Sequence, residues 1–309
     1  MERFTLDSAL EQLAKVLGER ARRNEPLAPY TSIRVGGPAD LLVVCRTGDQ
    51  MVDAVRLASS RGLPWRVLGS GCNILVADAG VRGLVVINRA DRMTFEEDGV
   101  VWAESGTLMR VLARDTTGRG LAGLEWAAGL PGTVGGAVVG NAGAFDGDVA
   151  SVLTKATLLA PEGEVVERSA KWFEFRYRGS RIKGGEEGKR YVVLDATFGL
   201  QPEETEVLVA RVDEILRWRR ERHPAGATMG STFKNPPGDH AGRLIELAGL
   251  KGQRIGGVKV SEQHANFLIN TGKATADDVL ALIRRVQAEV EDRFGVGLTM
   301  EVELVGEWE

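Results

Sequence analysis

Two glycine-rich segments, Gly69-Ser70-Gly71-Cys72-Asn73 and Gly129-Leu130-Pro131-Gly132-Thr133-Val134-Gly135-Gly136, each lie beside apolar runs of strand character and constrain the fold more than any other feature. Glycine admits positive φ and lets the backbone come close to a ligand, so successive N–H groups can face an anion without a cationic side chain. With Asn73 ending the first segment and Asn141-Ala142-Gly143 following the second, the pair predicts a large phosphorylated ligand held along two separate edges. The competing reading makes these glycines tight turns of a strand-rich domain. A Rossmann fingerprint would need a helix opening directly on the glycines and an acidic residue about 20 positions later. Here Gly71 is followed by the short apolar run Ile74-Leu75-Val76-Ala77 and a turn at Asp78-Ala79-Gly80. The Gly-x-x-x-x-Gly-Lys-Ser/Thr pattern is missing too, which argues against a P-loop nucleotidase.

At 309 residues the chain exceeds the ~250 to 300 at which one core stops growing, so two or three domains are expected. A net charge of −4 and aromatic residues at 6%, not interleaved with Lys or Arg, disfavour nucleic-acid binding. The two cysteines, Cys45 and Cys72, form no Cys-x-x-Cys motif, and His223, His240 and His264 are scattered, so neither a metal site nor a disulfide framework is indicated. Charges at Asp7, Glu11, Lys15 and Glu19 interrupt any signal-peptide core, and no apolar run nears the ~20 residues of a membrane span. A cytoplasmic location without membrane partners is the expectation.

Leu6, Leu10, Leu13 and Leu17 recur at helical spacing and predict an amphipathic helix ending near residues 18–23. Strands are expected at 39–45, 65–68, 74–76, 84–87, 100–104, 153–159 and 191–199, with helices near 49–61 and 107–117. The character changes at Gln201-Pro202-Glu203-Glu204, a candidate domain boundary. A helix follows with Val207, Leu208, Val212, Ile215 and Leu216 on one face and stops before Pro224. Thr275-Ala276-Asp277-Asp278 reads as a near capping box for a second long helix closed by Gly295. A last strand, 298–305, alternates Leu298, Met300, Val302 and Leu304 with Thr299, Glu301 and Glu303.

Three places could carry chemistry. Ser231 follows Gly230 in a turn-rich stretch with Lys234 and Asn235, but lacks the Gly-x-Ser-x-Gly elbow, so hydrolysis is not suggested; a serine satisfying loop backbone is the alternative. Arg178, in the basic stretch 176–183, could clamp a carboxylate or belong to a solvated loop. Glu301 and Glu303 share the polar face of the last strand, where solvent-facing carboxylates are the default.

Taken in order, Thr31-Ser32-Ile33-Arg34-Val35-Gly36-Gly37-Pro38-Ala39, the two glycine clusters through Asn141-Ala142-Gly143, Tyr177-Arg178-Gly179-Ser180, Gly230-Ser231 through Pro236 and Glu301-Val302 resemble the UDP-N-acetylenolpyruvoylglucosamine reductase family (UDP-N-acetylmuramate dehydrogenases). The resemblance runs from about Asn24 onward and is to the family's second type, which lacks a tyrosine-bearing insertion. It implies an α+β fold: an FAD-binding portion of two subdomains, of the PCMH/vanillyl-alcohol-oxidase kind, and an α+β carboxy-terminal substrate domain. The corresponding divisions are a helical extension at 1–24, flavin subdomains at 25–90 and 91–200, and a substrate domain at 201–309.

The implied reaction belongs to peptidoglycan precursor synthesis and is ping-pong. NADPH passes hydride to N5 of noncovalent FAD and leaves, then UDP-N-acetylglucosamine enolpyruvate accepts hydride at C3 and becomes UDP-N-acetylmuramate. By the resemblance, Ser231 is the general acid that protonates C2, and Arg178 and Glu301 stabilise the enolate-like intermediate. Glu301 is chosen over Glu303 by the Glu-Val match alone. The FAD positions would be Gly69, Ser70, Gly71, Cys72, Asn73, Gly129, Gly132, Thr133, Gly135, Gly136, Asn141 and Gly143; the substrate positions, Tyr177, Arg222, Lys234 and Asn235. Cys72 stands where the family often has serine, placing a thiol in a flavin loop. The alternatives are an FAD-linked oxidase of the same flavin fold and a non-catalytic nucleotide-sugar-binding module. A monomer is favoured.

Overall fold

The computed structural model describes residues 3–184 and 191–308. They form two compact units, Met1–Arg23, Leu41–Ser70 and Gly83–Arg219 in the first, and Asn24–Asp40, Gly71–Arg82 and Arg220–Glu309 in the second.

The first unit begins with helix α1 (Arg3–Leu17), whose Leu10, Leu13 and Leu17 are buried with Met51, Val55 and Ala58 of α2 (Gly48–Ser59). Leu6, the first residue of that stripe, has a side chain outside the described residues. This unit holds most of a four-stranded sheet ordered Ala21–Pro26, Pro38–Cys45, Val81–Asn88, Trp65–Leu68. The last two are parallel, Trp65 opposite Leu84 and Leu68 opposite Ile87. A continuous apolar run buried on both faces suits that parallel pairing: Leu84, Val85, Val86 and Ile87 are all inaccessible to solvent. A second, antiparallel sheet runs Val165–Ser169, Leu153–Leu159, Val192–Gly199, Val100–Glu104, Met93–Phe95. Its core packs against α3 (Met109–Thr117) and α4 (Val134–Gly140).

Helix α5 (Thr205–Arg222) ends before Pro224 as its sequence requires. Its apolar stripe is not a buried face, however. Only Leu208 is buried, while Val207 and Val209 are 43% and 42% exposed.

The second unit has its own core. Helices α6 (Ala241–Leu247) and α7 (Ala276–Phe294) pack with the antiparallel strands Arg254–Ile255, Val258–Val260 and Leu268–Asn270. The capping box at α7 is complete: Thr275 Oγ1 accepts from Asp278 N, and Asp278 Oδ2 accepts from Thr275 N. Asp78 adds acceptors for the N–H groups of Ala276 and Asp277 at 2.9 and 3.0 Å. The expected strand at 298–305 is shorter than its alternation implies. Only Glu303–Val305 pairs as a strand, parallel to Ile74–Val76, and Met300 makes a single bridge to Phe233. Val302 and Val305 are both buried, so strict alternation breaks where the segment changes partners.

Candidate active site

In the first unit Gly69 and Ser70, which begin the first glycine cluster, meet the second cluster directly. Ser70 Oγ donates to the Pro131 carbonyl at 3.0 Å, and Gly69 lies so close to Thr133 that a Cβ would collide with its hydroxyl. Arg89 donates to the Gly69 carbonyl at 2.9 Å and holds that loop from behind. Gly129 leaves the space that the Arg219 side chain fills, and a Cβ on Gly143 would strike Asp148 across the hairpin.

The second cluster is not a loop of free N–H groups. Its glycines open α4, and Val134 and Gly135 donate to the Thr107 and Ser105 carbonyls at 2.9 and 2.8 Å. What α4 offers instead is a bare face. At positions 136 and 140, four residues apart and so stacked along one side of the helix, a Cβ would meet nothing closer than 3.9 Å, and Gly132, just ahead of the extended N-cap Thr133, is equally open. Beside the start of α4, Thr107 Oγ1 is buried without a hydrogen-bond partner. A face without side chains, an unpaired hydroxyl and the tight Gly69–Thr133 approach fit a large cofactor laid against backbone, which is how an FAD binding domain would use Gly69, Ser70, Gly132, Thr133 and Gly136.

Asn141 is differently occupied. It ends α4 in the left-handed region at φ 44°, a conformation that asparagine tolerates, and is buried. Its amide donates to Asp148 at 3.2 Å and to the Arg176 carbonyl at 3.3 Å, and its oxygen accepts from Ala150 N at 3.0 Å. Arg176 and Gly179 exchange backbone hydrogen bonds of 3.0 Å across a four-residue turn. Within it Tyr177 is exposed and Arg178 sits at φ 53° with its guanidinium 5.1 Å from the Tyr177 ring centroid.

Gly71, Cys72 and Asn73 fall in the second unit. Gly71 takes φ 62° against the Tyr30 carbonyl, where a Cβ would collide, and its own carbonyl accepts from Ser32 N at 3.0 Å. Cys72 is half-buried. Asn73 donates through its amide to the Glu301 carbonyl at 3.0 Å, and its own carbonyl accepts from Glu303 N at 3.0 Å.

That hydrogen bond brings Asn73 to the Ser231 segment. Glu301 N donates to the Thr232 carbonyl at 2.9 Å, Lys234 N to Thr299 at 2.9 Å, and Ser231 bridges Phe267 on the other side. Ser231 and Glu301, far apart in sequence, thus lie on neighbouring extended segments. Buried Asn266 locks this arrangement with bonds to both the Phe233 N–H and carbonyl, at 2.9 and 2.8 Å. Asn235 is exposed, its oxygen accepting from Ala241 N at the start of α6, and Arg222 is exposed and paired with Glu221 at 3.2 Å. The histidines are not all scattered: the His223 and His264 rings lie 5.7 Å apart and both contact Phe267. Asn266, Ser105 and Thr107 went unrecognised in the sequence because each acts through a non-local backbone contact that no spacing encodes.

Residues 39–169 match the family model described as FAD binding domain, and residues 222–305 match UDP-N-acetylenolpyruvoylglucosamine reductase, C-terminal domain. The UDP-N-acetylenolpyruvoylglucosamine reductase of Chloroflexus aggregans is 44% identical over 288 residues, covering 92% of this chain and 97% of the relative. Reductase 2 of Symbiobacterium thermophilum is 43% identical over 300 residues, 96% of each chain. The crystal structure of the enzyme from Thermus caldophilus superposes with a TM-score of 0.78 at 34% identity, over 92% of this chain and 98% of that one. With near-complete coverage by such relatives, an FAD binding domain and the reductase's own C-terminal domain, this oxidoreductase belongs to the UDP-N-acetylenolpyruvoylglucosamine reductase family.

Proposed function

We propose that the chain reduces UDP-N-acetylglucosamine enolpyruvate with NADPH in two successive half-reactions, Ser231 giving the proton that completes the second. The observation that carries this reading is the pairing of the Ser231 and Glu301 segments through Glu301 N to Thr232 O at 2.9 Å. FAD, when bound, supplies the hydride-carrying chemistry; the chain's residues position substrate and handle the proton.

Ser231 Oγ would deliver its proton to C2 of the enol ether, while Glu301 and Arg178 stabilise the developing enolate-like charge. A serine hydroxyl is a poor acid at neutral pH, so its placement matters more than its acidity. The bonds from Asn266 to Phe233 fix that placement by holding the backbone of the segment that carries the hydroxyl. Lys234 and Asn235, next along the same segment, and Arg222 and Tyr177 are assigned to the nucleotide-sugar, with 201–309 as the substrate-binding portion. A member of the family that had lost catalysis would have no need of this locked serine.

Anaerobic stopped-flow absorbance separates the two half-reactions. In Ser231→Ala, flavin bleaching by NADPH should keep its rate, and recovery on adding the enolpyruvyl sugar should slow by about 10²- to 10⁴-fold. Equal loss in both phases would make Ser231 structural. Recovery only with oxygen in the unsubstituted protein would point to an oxidase.

A further inference from the structure

The Tyr177-Arg178-Gly179-Ser180 motif contains more than its arginine. Arg178 occupies the left-handed region, φ 53°, at the third position of a tight turn, where glycine or asparagine is the usual residue. An arginine held there needs its surroundings to determine the conformation. Three side chains from outside the turn do so. Lys183 Nζ donates to the Arg178 carbonyl at 2.8 Å, fixing the peptide plane that follows the left-handed residue. Asn141 donates to the Arg176 carbonyl at the turn's entry. At its exit Ser180, fully buried, donates to the Val139 carbonyl at 2.6 Å and so ties the turn to the last residues of α4.

We propose that Lys183, with Asn141 and Ser180, is a positioning residue for the reduction: the three form a clamp that holds Arg178 in the conformation from which its guanidinium acts. The proposal rests on the catalytic role assigned to Arg178 above. It gives Asn141 a duty other than the cofactor contact expected of it, and makes the helix whose bare face suits FAD the anchor of the arginine turn as well. Lys183 is the member to test, because it is only half-buried and its bond is to the Arg178 carbonyl itself. Lys183→Met keeps the apolar stem and removes the donor.

The experiment is a double-mutant cycle on the FAD-loaded full chain, read as the rate of flavin recovery after adding the enolpyruvyl sugar. Lys183→Met should slow that phase about tenfold in the otherwise unchanged enzyme, the cost of a misplaced catalytic group. In an Arg178→Ala background the same substitution should change it less than about twofold, because a clamp has nothing left to position. Equal loss in both backgrounds, or no loss in the first, overturns the clamp while leaving the Arg178 role intact. No slowing in Arg178→Ala itself overturns both.

Discussion

At the residue scale, the same physics that places catalytic groups also tunes His264. Burial pushes its imidazole below the ordinary histidine range, outweighing a backbone hydrogen bond that pulls it up; the nearby Lys251 charge adds to the lowering and Glu246 opposes it more weakly. In the unfolded chain a histidine titrates near 6.5, so acid protonates the unfolded state first. The stability that neutral His264 contributes is therefore complete above about pH 6.5 and is lost as pH falls toward the lower folded-state value. Urea midpoints at pH 7.5 and 5.5 should show a larger acid loss in the parent than in His264→Gln; an unchanged difference would mean that other groups dominate. Nothing at positions 223 and 264 announces this pair in sequence, since the contact depends on the fold around Phe267.

At the element scale, α4 sets helix stability against function. Three glycines in seven residues are poor helix formers, each costing about 1 kcal/mol relative to alanine. Gly135 is crowded by Ser105, whose Cβ would lie 3.0 Å from an added Cβ, while Gly136 has open space before it. Gly136→Ala should thus raise the stability of the flavin-free protein by up to about 1 kcal/mol and weaken FAD binding. Denaturant unfolding and a flavin fluorescence titration would measure the two effects; tighter FAD binding would show that this face does not receive the cofactor. The run reads as loop in the sequence because its glycines hide the helical period, whereas α2, α3 and α7 carry theirs in apolar residues. The α7 cap was legible for the complementary reason, since Thr275 and Asp278 are local partners three residues apart.

For the whole molecule, three separate clusters of buried side chains among the described residues supply the cores, two in the first unit and one in the second. An FAD binding domain spanning 39–169 makes cofactor affinity part of folding stability. Calorimetry should find FAD at a hundredfold excess over its dissociation constant stabilising the protein by about 2.7 kcal/mol, and a midpoint insensitive to FAD would exclude selective binding to the folded chain. The sequence by itself determined the family and the run of strands and amphipathic helices, since periodicity, caps and motif order are properties of neighbours along the chain. Only the tertiary structure decided that Gly69 meets Thr133, that Asn141 serves the Arg178 turn, and that Asn73 and Asn266 secure the segments bearing Glu301 and Ser231. Those pairings join positions tens to hundreds of residues apart, and a hydrogen bond between such positions leaves no spacing to read: it exists once packing has brought the two backbones together.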